Sequence, residues 1–413
     1  MSPTPLILLL LVCAASARAG TLSLSVDGSA QYALKHNPAL TAARLRIDEA
    51  SGRLHQSGRL PNPELGLDLT RHTAGPEHSA EISFTQRFPI TARLRHERTV
   101  SRAELAAAEA EFRDAQRKLA AEVRSAAVKL LTISGQRSLR TQQLDNSRNL
   151  SEFLIKRVAT GEASAVDASQ VDLESRQIQL EKLMLNADEA VLLGELRPLL
   201  GVSANEHINI TGSLPNPAPP PPPARSLLRP DIIAAQHRAT AANAFVLEQQ
   251  ARRWEDISVG ASFSRDRTVD EPMGTETERI VGFRFSLPLP LWNDNSGRIL
   301  EARAAASRAA AELDATRLSA SAQSTAARSA MNSYAALLAE LDSKVLPAAS
   351  QIEDQLRNSY TSGQTPLTEV LRARTRRLDL QRQRLDALRD YHLARIRHDA
   401  AIGNTVAPTA HKQ

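Results

Sequence analysis

The chain has 413 residues, with 51 Lys and Arg against 46 Asp and Glu for a formal charge of +5, 3% aromatics and one cysteine, Cys13. Ala, Leu, Arg, Glu, Gln and Ser dominate; a large compact core would draw on more aromatic and β-branched residues, so the composition points to long helices packed through small side chains. The arginines are scattered along helical stretches rather than gathered in blocks, which argues against nucleic-acid binding, and a lone cysteine excludes disulfides and thiolate metal sites.

The first 19 residues read as a secretory signal: an apolar core from Leu6 to Ala15, then the small-x-small pattern of Ala17, Arg18 and Ala19, with cleavage before Gly20. A lipid anchor through Cys13 is the lesser alternative, because Val12 stands before it where a small residue is wanted. No later run reaches the roughly eighteen apolar residues of a transmembrane helix, so membrane entry must use strands.

In chain order, the first unit (20–214) opens with a helix over about Ser29–Arg59. Two strands follow, about 62–71 and 79–88. Leu65, Leu67 and Leu69 alternate with Glu64, Gly66, Asp68 and Thr70, then Ile82, Phe84 and Phe88 alternate with Glu81, Ser83, Thr85 and Arg87. A polar hairpin loop from His72 to His78 joins them. A long helix runs from about 92 to 158 with no proline and one glycine, Gly135; at about 1.5 Å per residue it spans about 100 Å. Leu119, Val123, Ala126, Leu130 and Ile133 keep the spacing of a coiled-coil seam, which Leu105 and Phe112 extend upstream by sevens. Gly161 then marks a reversal, since only glycine takes a left-handed conformation at a helix end without strain. The returning helix covers about Ser164 to Leu200 and stops at Gly201.

After an extended Pro-rich connector at 215–224, a second unit (225–403) repeats the plan. Pro38 pairs with Pro230, Glu64 with Asp256, Pro89 with Pro288, Gly161 with Gly363 and Gly201 with Gly403. The offsets drift only from 192 to 202. Its strands are about 255–265 and 279–288, joined by a loop from Arg265 to Arg279. Its long helix is about 297–362, broken only by Pro347, and the tail 404–413 is expected to be flexible. Each strand has the roughly nine to eleven residues that cross a bilayer at a tilt. Trp254 and Trp292 fall at strand ends, where interface-seeking aromatics belong. Four strands cannot close a barrel, and an open edge in hydrocarbon leaves backbone groups unsatisfied. The chain must therefore oligomerise: three copies supply twelve strands, two a narrow eight-stranded plug.

The duplicated plan, the FRFSLPLPLWNDNSGR run at Phe283–Arg298 and the YTSGQTPLTEVL turn at Tyr360–Leu371 resemble the TolC-type outer membrane factor family, and within it the outer membrane subunits of cobalt-zinc-cadmium-type metal pumps. The resemblance covers nearly the whole mature chain. It implies a mainly α fold with a membrane β-barrel portion: a homotrimer with a twelve-stranded outer membrane barrel on a long periplasmic helical tunnel. It also implies a passive exit duct that meets a periplasmic adaptor protein and, through it, an inner-membrane RND transporter. Tyr360 matches a gate tyrosine and Glu369 an acidic gate position. Thr365 and Arg372 depart from the pattern, so any lock between helices is wired differently here. The docking segments for the adaptor are then Val158–Ala163 and Tyr360–Thr365. Three-fold repetition of Asp167 and Glu369 would place up to six carboxylates near the mouth; as helix-capping acids in a first turn they are equally accounted for.

No nucleophile elbow, phosphate loop or closely spaced His-Glu motif is present, so no enzyme, cofactor or metal centre is expected. His72 and His78 face each other across a loop but read better as solvated. The rival readings are a protein-secretion duct and a soluble periplasmic coiled-coil scaffold or adaptor with its hairpins folded onto itself.

Overall fold

A computed structural model describes residues 21–73, 75–161, 164–218, 229–270 and 274–403. The signal segment with Cys13, most of the Pro-rich connector and the tail lie outside the described residues. The elements run β1 (Thr21–Leu24), α1 (Val26–His36), α2 (Pro38–Gln56), β2 (Glu64–Arg71), β3 (His78–Phe88), α3 (Arg93–Ala159), α4 (Ala165–Leu200) and β4 (His207–Ile210) in the first half. The second half has α5 (Pro230–Ala251), β5 (Ile257–Asp270), β6 (Gly274–Ser286), α6 (Ser296–Glu340), a π-helical turn (Leu341–Val345), α7 (Leu346–Thr361) and α8 (Leu367–Ala401).

The first helix is not continuous. Proline at position 38 holds Asn37 in an extended conformation (φ −70°, ψ 122°), which ends α1 and starts α2. Asn37 then serves two ends at once: its side-chain oxygen accepts from the Leu40 amide (3.1 Å), and its amide donates to the carbonyls of Pro198 (3.3 Å) and Leu199 (2.8 Å) at the end of α4. Gly201 closes this junction at φ +72°, and a Cβ there would lie 2.4 Å from the His36 carbonyl oxygen. Replacing Gly201 by Ala combines left-handed strain with a backbone clash and should cost about 2–4 kcal/mol. Gly161 has the same φ sign but open space around it, so Gly161→Ala should cost only about 1–2 kcal/mol. Thermal unfolding of the two variants in detergent checks the ranking.

Proline 347 does not break the second long helix. It lacks an amide hydrogen and crowds the preceding turn, and the π-helical turn at Leu341–Val345 absorbs that misfit so that α6 and α7 continue as one rod. The α3 seam is buried at Leu119, Val123, Ala126, Leu130 and Ile133. Upstream, Phe112 is partly buried and packs against the same core cluster, as the heptad count expects; Leu105 is also only partly buried, and the fully buried stripe there runs through Ala103, Ala107, Ala110, Asp114 and Arg117. There α3 packs beside α5, whose own buried side chains include Ala234, Ala239, Ala241 and Ala244, so that much of this contact is between small side chains.

Two sheets form. Strands β1 and β4 pair in parallel, Thr21 opposite His207 to Leu24 opposite Ile210, tying the start of the first unit to its end. The larger sheet has the order β2-β3-β5-β6, all antiparallel, with β2 and β6 as its edges. The β5–β6 ladder continues to Asp270 opposite Gly274, so most of the loop expected between Arg265 and Arg279 is strand. The described start of the connector is pinned to α8: His392 Nε2 lies 2.8 Å from the Pro215 carbonyl oxygen, and the Tyr391 hydroxyl bonds the carbonyl of Ala218 (2.8 Å) and accepts from its amide (3.1 Å). Burial pushes the His392 imidazole below its usual range, against a smaller opposing effect of that hydrogen bond.

Candidate functional site

Two regions are candidate functional sites: the faces of the four-stranded sheet, and the tip where both long helices reverse.

Strand alternation sorts the sheet into two unlike faces. On one, the cross-strand rows read Leu65–Phe84–Ala261–Phe283 and Leu67–Ile82–Phe263–Val281. Their large side chains lie exposed, Phe283 at 87%. Among the described residues nothing covers this band, a contiguous apolar patch of the kind that marks an interface or a lipid contact. The opposite face carries Asp68, Glu81, Asp266, Glu276 and Glu278, with Arg87 bound to Glu64 (2.8 Å) near its base. It is also crowded: a Cβ at Gly66 would sit 2.6 Å from the Ser83 hydroxyl oxygen, and one at Gly282 would sit 2.8 Å from that of Ser262. Small residues on this face let the sheet curl toward it.

At the helical end of the sheet, Trp254 and Trp292 are both exposed, Trp292 at 95%. They line one depression with Arg87, Arg93, Arg252, Arg253 and Arg298. Arg93 bridges from the start of α3 to Asp256 at the start of β5 (2.7 Å), locking the sheet onto the rods.

At the other end, Gly161 and Gly363 both adopt φ +75°. The Gly161 amide donates to the Val158 carbonyl (3.1 Å) and the Gly363 amide to that of Tyr360 (3.0 Å). Ala163 lies outside the described residues. Ser164 caps α4 through its hydroxyl oxygen, which accepts from Val166 N (3.1 Å), and Asp167 follows in the first turn, half-buried. The structure brings the two reversals together: Leu154 of α3, Val171 of α4, and Leu367 and Val370 of α8 form one buried cluster, with Tyr360 packed against it. Thr365 sits partly buried in the second reversal, before α8 begins. Among the described residues Glu369 makes no ion pair with another helix. Its carboxylate is held 2.7 Å from Arg372, three residues on along α8.

Just inside the tip lies a polar set that periodicity alone does not single out. Arg374 is buried and donates to the Gln143 carbonyl (3.2 Å). Burial raises the Glu174 carboxyl above its usual range, while the nearby Arg374 charge pulls the other way. The available signal was Arg374 itself, which continues the buried series Leu367, Val370, Arg374, Leu378 where an apolar residue belongs. The hairpin histidines do not form a pair: His72 Nδ1 lies 3.0 Å from Glu77, and His78 Nδ1 is 3.2 Å from the Pro76 carbonyl oxygen. Among the described residues no group of three or more His, Cys, Asp or Glu could hold a metal ion.

The family model described as outer membrane efflux protein matches residues 30–202 and 226–404, one span per repeat. The cobalt-zinc-cadmium resistance protein CzcC of Cupriavidus metallidurans is 25% identical over 403 residues, covering 92% of this chain and 87% of CzcC. Crystal structures share the fold at lower identity. One of CusC aligns with a TM-score of 0.77 at 18% identity, covering 92% of each chain. The Campylobacter jejuni CmeC outer membrane channel aligns at 0.77 and 15%, covering 92% of this chain and 85% of that one.

Proposed function

Because the chain belongs to the outer membrane efflux protein family, and so is an outer membrane exit duct rather than an enzyme, we propose that it conducts heavy-metal cations outward as a homotrimer. Its four-stranded sheet is the observation that carries this reading. One face is apolar and uncovered, the other acidic, and among the described residues both edges, β2 and β6, lack partners. Three copies joined edge to edge give twelve strands, a lipid-facing wall and a lumen lined with carboxylates that favours cations. A second feature supports self-assembly: Val166, Leu173 and Leu180 recur every seven residues on α4 and remain exposed in the single chain, a seam that a neighbouring copy would cover.

The relative CzcC is named for cobalt, zinc and cadmium resistance, and the acidic face fits that cargo. The helical column would extend into the periplasm, with the reversals around Val158–Gly161 and Tyr360–Thr365 docking an adaptor that connects to an inner-membrane RND transporter. Export would use the cleaved signal at the amino terminus. Purified protein should require detergent, run as a trimer and form conducting pores in planar bilayers; a detergent-free monomer without conductance overturns the proposal.

At the tip, Asp167 is the acid without a local arginine bridge among the described residues, whereas Glu369 is balanced by Arg372. The carboxylate ring is therefore carried mainly by Asp167. Single-channel recording should show cation preference falling several-fold in Asp167→Asn and changing little in Glu369→Gln. Equal preference in wild type and both variants discards the ring.

A further inference from the structure

We infer that the lipid-facing side of the sheet carries, just beyond its apolar band, a binding site for the phosphates of an outer-leaflet phosphorylated glycolipid. The site consists of Arg71, Arg265, Arg267 and Arg279, with His78 beside them. The inference rests on the reading of this sheet as a membrane wall.

The register defines the cluster. Arg265 stands directly opposite Arg279, and in the next row Arg71, His78 and Arg267 lie side by side across β2, β3 and β5. All five share the strand parity of Leu65, Leu67, Phe263 and Phe283, so they belong to the apolar side of the sheet. The acids at the same height, Asp266 and Glu278, pair with each other one residue along and face the lumen. All four arginines are exposed, and none makes an ion pair with a described residue. Glu77 in the hairpin loop is the nearby acid on the chain, and it is engaged by His72 (3.0 Å) and the Val269 amide (3.4 Å).

Like charges placed directly opposite on neighbouring strands repel, because their Cβ atoms stand about 5 Å apart. An arginine opposite an arginine with no acid on that face among the described strand residues is a cost that a shared anion removes. A phosphate suits it: the planar guanidinium fork binds phosphate oxygens in pairs, and two forks about 5 Å apart at their bases can close on one group.

Height selects the lipid. Eight residues separate Ile257, at the helical end of the band, from Arg265. That is about 27 Å along the strand and about 20 Å across the membrane after a tilt near 40°, close to the roughly 25 Å of a barrel's apolar girdle. Trp254 and Trp292 mark the rim next to the helices, so the arginines mark the far rim, on the side away from the periplasmic column. The lipid of that leaflet presents phosphates on a sugar backbone.

The test uses full-length trimer in detergent, with binding read by native mass spectrometry and by a fluorescent lipid-displacement titration. Probes are bisphosphorylated lipid A, the same lipid after enzymatic dephosphorylation, phosphatidylglycerol and inorganic phosphate. Arg265→Gln/Arg279→Gln should bind bisphosphorylated lipid A at least ten-fold more weakly than wild type, and Arg71→Gln/Arg267→Gln should weaken it further when combined. Dephosphorylated lipid should not distinguish wild type from variants. Unchanged binding by the quadruple variant overturns the site. Equal affinity of wild type for phosphatidylglycerol, or full displacement by millimolar phosphate, overturns the glycolipid assignment. Pore conductance of each preparation is recorded in parallel: a wild type that neither inserts nor conducts refutes the membrane-wall reading instead, while conducting variants that have lost the lipid support the proposal.

Discussion

A lysine at position 283 is expected to prevent the protein from assembling as a membrane-inserted trimer. Phe283 is 87% exposed at the middle of the apolar rows, beside Ala261 on β5 and one strand further from Phe84. A lysine or arginine on the lipid side of a barrel near the bilayer midplane costs about 2–4 kcal/mol. Three-fold symmetry repeats that cost in every copy, giving about 6–12 kcal/mol per trimer, comparable to the whole stability of a folded domain. The expected outcome for Phe283→Lys is loss of the heat-resistant trimer band and of pore activity, with protein accumulating outside the membrane fraction. Glu278→Lys, a charge reversal on the opposite face of the same strand, should still assemble and conduct, with weakened cation preference. If Phe283→Lys inserts as well as Glu278→Lys, the face assignment is wrong.

Removing Arg117 should be among the most damaging single changes in the helical column. Its guanidinium donates to Asp114 Oδ1 through Nε (2.9 Å) and Nη2 (2.7 Å), and through Nη1 to the Ala400 carbonyl at the end of α8 (2.9 Å). Arg117 is only 7% exposed and Asp114 only 6%. One side chain thus neutralises a buried carboxylate and joins the rod of the first unit to the last helix of the second. It also acts at a distance on Asp231: burial works against ionisation there, but the direct bonds from Arg229, aided by the Arg117 charge, hold that carboxyl below its usual range. Breaking a buried pair from one side costs about 3–5 kcal/mol, because the remaining charge stays out of water. Lys118 Nζ, 2.8 Å from Asp114 Oδ2 but itself exposed, offsets part of this. Arg117→Met should therefore lower stability by about 3 kcal/mol, read as a fall in unfolding midpoint. Asp114→Leu/Arg117→Met should recover most of it, since an apolar pair of similar volume fills the site without a stranded charge. A double variant no better than Arg117→Met would mean that the Ala400 contact, not the charge balance, is what matters.

The strands were legible because a sheet with one face in an apolar medium must alternate, and Leu65, Leu67, Leu69, Phe283 and Phe285 keep that period without interruption. The helix reversals were legible because left-handed backbone selects glycine, and Gly161, Gly201, Gly363 and Gly403 all have positive φ. Strands β1 and β4 were not legible: each has four residues, too few to show a period, and their parallel pairing joins segments far apart in sequence. The upstream seam was legible only in part, for a related reason. Phe112 does pack against the seam cluster, but beside α5 the fully buried positions of α3 are Ala103, Ala107 and Ala110, and Leu105 stays only partly buried.

At the tip, sequence identified Tyr360, Asp167 and Glu369 as residue types in the right turns, while their relations came from the folded chain. Glu369 meets Arg372 on its own helix because three residues make one near-turn, and Tyr360 lies on the cluster that unites the two reversals. The Arg374–Gln143 contact bridges 231 positions and exists only once α3 and α8 lie side by side.

By itself, then, the sequence determined the periods: two-residue alternation in four strands, seven-residue seams in the rods, glycines at the reversals and the repetition of that plan. Each is a local condition, set by which direction a side chain points and which backbone angles it tolerates. The tertiary structure alone decided which stripe of α3 is buried, which acid is neutralised and which arginines share a row. Those depend on the distance between elements remote in sequence, where packing volume and charge balance are settled by neighbours that no local period encodes.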